Sequence, residues 1–124
     1  MQLQRRAVAG TVLLVAIAAS PSLAARYTGD ATDARTGAGS PATIRTKGHG
    51  AVINATIKCK PTQGCPLAKK TRVRLTATGE QYAYTGSFTR HGSSCTLDAY
   101  VYTAGFQGTY RCEDGSVGSV GGLA

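Results

Sequence analysis

The stretch Cys95-Thr-Leu-Asp-Ala-Tyr-Val-Tyr-Thr-Ala-Gly-Phe-Gln-Gly-Thr-Tyr-Arg-Cys112 decides the fold. Cys95, Leu97, Ala99 and Val101 alternate with Thr96, Asp98, Tyr100 and Tyr102. After a turn at Thr103-Ala104, Phe106, Gly108, Tyr110 and Cys112 alternate with Gln107, Thr109, Arg111 and Glu113. Apolar-polar alternation of this kind marks two strands, each with one buried face. If the hairpin pairs Val101 with Phe106, then Ala99 meets Gly108, Leu97 meets Tyr110 and Cys95 meets Cys112. Every inward residue then faces an inward residue, and the two cysteines fall within bridging reach. A three-residue loop ending at Gly105 would shift the register and set Cys95 opposite Glu113 unless a bulge restored it.

The same period runs through the neighbouring segments. Ala51, Ile53, Ala55, Ile57 and Cys59 form one inward row, and Val73, Leu75 and Ala77 form another. Tyr82, Tyr84, Gly86 and Phe88 form a third. Turn residues separate the runs at Gly48-His49-Gly50, Gly79-Glu80, His91-Gly92, Ala104-Gly105 and Asp114-Gly115. Pro61 to Lys70 reads as a loop between strands. The fold class is therefore all-β: a small antiparallel meander of about six or seven strands, closed as a barrel or folded as a sandwich. Its core is small, with Tyr82, Tyr84, Phe88, Phe106 and Tyr110 as its large members and no tryptophan.

Further out lie the ends. Residues 25–41 lack periodicity and read as a flexible N-terminal arm; the β domain spans 42–120, and 121–124 form a loose tail. Before the arm, Arg5-Arg6, the apolar run Ala7–Ala19 and the small residues Ser22-Leu23-Ala24 follow the order of a signal peptide, with cleavage after Ala24. The apolar run falls short of the roughly 20 residues a permanent membrane helix needs. No transmembrane segment is expected after cleavage, and the destination is secreted or periplasmic. The twin arginine lacks a surrounding motif, so the general secretion route is expected.

All four cysteines lie in the exported part. An even number in a small exported chain points to disulfides. Structural zinc sites favour tight C-x2-C pairs, and cysteines at 59, 65, 95 and 112 do not supply them. Four cysteines allow three pairings; the hairpin register favours Cys95–Cys112, which leaves Cys59–Cys65 to clip the Pro61–Lys70 loop. Bridges of this kind contribute about 2–4 kcal/mol each, a large share of the stability of a thin-cored domain.

Charge carries the main functional signal. The chain has 14 Lys and Arg against 6 Asp and Glu. Lys58, Lys60, Lys69, Lys70, Arg72 and Arg74 cluster on two neighbouring strands and their loop, with no acid between Lys47 and Arg74. Such a patch attracts an anionic polymer, glycan or envelope surface; its competing role is a solvated strand face that discourages edge pairing. Tyr100 and Tyr102 have outward parity, where they serve as stacking surfaces for sugars or bases or simply as good strand formers.

His49 and His91 sit in glycine-flanked turns without partners at ligand spacing. Ser93, Ser94 and Asp98 near His91 do not make a nucleophile elbow or a triad, so no enzyme, metal or cofactor is expected. Asn54-Ala55-Thr56 matches the N-glycosylation pattern on an outward face. The expectation is a non-enzymatic, exported, disulfide-stabilised binding module with a basic face. The alternatives are an inhibitor or effector that presents the Cys59–Cys65 loop to a secreted or envelope protein, and a structural protein with no ligand.

Overall fold

A computed structural model describes residues 25–124. The expected signal peptide, residues 1–24, lies outside the described residues. The chain forms strands β1 (Arg26–Asp33), β2 (Gly39–His49), β3 (Val52–Cys59), β4 (Lys70–Ala77), β5 (Ala83–Arg90), β6 (Ser93–Val101), β7 (Gly105–Cys112) and β8 (Val117–Leu123). Each pairs antiparallel with its sequence neighbours, and β1 pairs with β8, closing the barrel. The single helical piece among the described residues is a 3-10 turn at Pro61–Gln63.

The decisive hairpin takes the expected register, with Cys95 opposite Cys112, Leu97 opposite Tyr110 and Val101 opposite Phe106. Both expected disulfides are present, Cys59–Cys65 and Cys95–Cys112. They mark an oxidising, non-cytoplasmic environment. The interior is filled by Tyr27, Tyr110, Phe106 and Phe88 with the aliphatic rows between them. Eight strands enclose just enough space for such side chains. The outer wall and the two rims are the surfaces left to solvent.

Three expectations need correction. Residues 25–41 are not a flexible arm: they form β1, the turn after it and the start of β2, with Tyr27 and Ala31 fully buried. Residues 121–124 are not a loose tail, because β8 continues to Leu123 and the Ala124 amide donates to the Ala104 carbonyl. The strand count is eight rather than six or seven. One physical cause bears on both end strands. Where β1 meets β8 the backbones approach so closely that a Cβ on Gly29 would lie 1.9 Å from the Gly121 carbonyl oxygen. Only glycine fits, so glycines interrupt the inward rows that hold Tyr27, Ala31 and Val120, and the period of two does not show in sequence.

Tyr82 is also misplaced by the alternation. It precedes β5 in a turn with φ of 66° and stands 50% exposed, while Ala83 is buried beside it.

The ladder between β4 and β5 is the shortest, with only Thr76–Thr85 and Ala77–Tyr84 paired. Beyond it the loop from Lys60 to Lys69 folds against the barrel. Leu67 is buried in the core, and the Arg90 guanidinium donates to the Pro66 carbonyl. The segment enclosed by the Cys59–Cys65 bridge, 60–64, is exposed, while Cys65 and Leu67 after it are buried.

Candidate functional site

Strand parity builds the site on the outer wall. Inward Ile53, Ala55 and Ile57 force Asn54, Thr56 and Lys58 outward, and inward Thr71, Val73 and Leu75 do the same for Lys70, Arg72 and Arg74. The antiparallel registers then align the cations across strands. Lys58 stands directly opposite Lys70, while Thr56 faces Arg72 and Asn54 faces Arg74. Lys60 and Lys69 continue the patch into the loop. All six sequence-identified cations are exposed.

The wall is wider than sequence reasoning made it. β2 adds Arg45 opposite Thr56 and Lys47 opposite Asn54. β1 adds Arg26 opposite Arg45. Arg26, Arg45, Thr56 and Arg72 therefore form one continuous row over four strands. Arg45 and Lys47 alternate with inward Ile44 and Thr46, whereas Arg26 lies on β1, whose inward row is broken by Gly29. Successive outward residues on one strand are about 6.6 Å apart and neighbouring strands about 4.8 Å apart, so the wall is a regular lattice of positive charge.

No Asp or Glu occurs between Asp33 and Glu80, so β2, β3 and β4 carry no carboxylate, and on β1 the exposed Asp30 lies four residues beyond Arg26. The ion pairs among the described residues, Arg90–Asp114 and Arg111–Asp98, both lie elsewhere. A groove of about 820 Å³ runs along the wall, with Lys58, Lys60, Lys69, Lys70 and Gln63 in its lining.

Tyr100 and Tyr102 are outward, as expected, at 41% and 39% exposure. They do not join the basic wall: they lie on β6 and at its end, across the barrel. Their rings are stacked at 6.4 Å, and Tyr82 leans on Tyr102 at 4.9 Å. The Tyr100 hydroxyl donates to Glu80 Oε2, and that carboxylate raises the Tyr100 pKa.

The rim beneath the loops is polar. Asp33 accepts the amides of Arg35 and Thr36, and Asp114 accepts that of Ser116; these bonds hold both carboxyls below the usual aspartate pKa. Arg90, 12% exposed, bonds Ser116 Oγ and pairs with Asp114 at 3.8 Å. Burial raises the pKa of Tyr27 and of Tyr110. The Tyr27 hydroxyl donates to the Tyr102 carbonyl at 2.7 Å.

His49 ends β2 and His91 turns between β5 and β6, so topology sets them at opposite rims. Neither belongs to a cluster of metal-ligating side chains among the described residues. Asn54 is exposed in the middle of the basic wall. Comparison with protein-family models and with curated proteins gives no match.

Proposed function

We propose that this chain is an exported, non-enzymatic binding module that uses the outer wall of β1–β4 to hold a polyanion. One observation carries the reading: like charges face each other directly at Arg26–Arg45 and Lys58–Lys70, and β2, β3 and β4 carry no carboxylate. Directly opposed like charges destabilise a ladder. A wall that concentrates them gains nothing for folding and gains attraction for phosphate, sulfate or carboxylate groups. The disulfides and the β1–β8 closure keep the lattice rigid, which lowers the ordering cost of binding.

The polyanion reading is tested on heparin and duplex DNA columns at low salt. Retention is expected, with elution earlier as salt rises, because exposed charges are screened over about 10 Å at 0.1 M. Charge reversal of Arg45 and Arg72 together should shorten retention without lowering the melting temperature, since Arg45→Glu turns the Arg26–Arg45 repulsion into an attraction. Unretarded passage at low salt over both columns would end the proposal.

A further inference from the structure

We infer that the wall adjoining the basic lattice, from β1 across β8 and β7 to β6, carries a second site, for a neutral oligosaccharide, with Tyr102 and Tyr100 as its stacking surface. Its existence does not depend on the polyanion reading. An in-register row crosses this side of the barrel. Tyr100 pairs with Gln107, Gln107 with Gly121, and Gly121 with Asp30. An aromatic ring, a carboxamide, a bare backbone floor and a carboxylate thus follow one another on the outer face. A groove of about 610 Å³ lies over Gln107, Gly121 and Asp30, with Tyr102, Thr28 and Leu123 also in its lining; Tyr100 stands at its side, stacked on Tyr102.

This composition matches the chemistry of a pyranose. The C–H face of a sugar ring is apolar and stacks on an aromatic ring, while its hydroxyls seek planar acceptors and donors such as carboxylate and carboxamide. Binding sites of this type combine apolar surface with a few placed polar groups. The groove lining includes Asp30 and no lysine or arginine, so it offers nothing to a phosphate or sulfate. A nucleotide would stack equally well but would bring its phosphate toward Asp30, with no lysine or arginine in the groove lining to receive it.

The tyrosines are also held in place before any ligand arrives. Tyr100 is tied to Glu80, the Tyr102 backbone carbonyl accepts from Tyr27, and the Val101 amide donates to the Tyr82 carbonyl. Tyr82 keeps a positive φ of 66°, a conformation that a bulky residue adopts only under local constraint, and this leaves its ring against Tyr102. A rigid platform loses little entropy on binding.

The probes are cellohexaose, chitohexaose, xylohexaose and mannohexaose, titrated into the protein with tyrosine fluorescence as the signal. The absence of tryptophan makes that signal direct. At least one hexaose should bind, with affinity unchanged between about 50 and 200 mM salt, a range in which polyanion binding collapses. Tyr102→Ala and Tyr100→Ala should each weaken it about tenfold, the loss of one stacking partner. Tyr102→Phe should retain binding, and reversal of Arg45 and Arg72 should leave it intact. Absence of binding to all four hexaoses overturns the inference. So does binding that Tyr102→Ala leaves unchanged, or binding that falls with salt.

Discussion

Gly118 lies beneath the ring of Tyr110 so closely that a Cβ there would sit 2.4 Å from the phenol Cζ and oxygen. This contact lets β8 close against β7 while Tyr110 keeps its place in the core, fully buried. Gly118→Ala should therefore cost about 1–3 kcal/mol through overpacking, read as a lower midpoint in urea with an unchanged slope. A variant as stable as the parent would show that the closure tolerates more volume than its geometry allows.

Tyr110 itself supplies the converse test. Its hydroxyl is buried with no hydrogen-bond partner among the described residues. Tyr110→Phe removes that unsatisfied group and keeps the ring, so stability should hold or rise by about 1 kcal/mol. A clear loss in thermal melting would mean that the hydroxyl is satisfied in solution.

Acid should weaken the fold from one rim. The carboxyls of Asp33 and Asp114 are held below their ordinary value by backbone amides. A depressed folded-state pKa contributes stability above the unfolded value of about 3.9, and this is lost as pH falls through the lower folded values. Urea midpoints should drop below about pH 4, and the Asp33→Asn/Asp114→Asn double variant should start lower at neutral pH and fall less steeply. Parallel pH profiles for the two proteins would contradict this assignment.

The two bridges should separate in function and in energy. Cys95–Cys112 spans 17 residues and Cys59–Cys65 spans 6, so chain entropy assigns about 3 and about 2 kcal/mol to them. Replacing Cys59 and Cys65 by serine should mainly release the loop. Hydrogen exchange should speed up at Leu67 and at the short β4–β5 ladder more than in the β6–β7 hairpin.

On the basic wall, each cation removed should lower the slope of log affinity against log salt by about one for duplex DNA. Arg26→Gln and Arg45→Gln are the informative variants, because only the folded register adds them to the patch. A slope unchanged by both would confine any contact to β3 and β4.

Strands with large inward residues were legible because burial stamps a period of two on them. Ile53, Ala55 and Ile57 established β3, and Leu97 with Tyr110 established a register that the structure reproduces residue for residue. The six cations from Lys58 to Arg74 followed from the same parity. β1 and β8 were not legible. Their inward positions include Gly29, Gly118 and Gly122, and glycine at an inward position reads as flexibility until its neighbours are known.

Local alternation by itself determined the all-β class, the last hairpin, the bridge pairing and half of the basic wall. Tertiary structure alone decided that the sheet closes, that Arg26 joins the cations, and that the tyrosines face away from them. The reason is spatial. A side chain's inward or outward sense is set by its own strand, whereas closure and the gathering of a face depend on which distant backbones can approach. Here that approach rests on glycines, whose missing side chains leave no pattern along the chain.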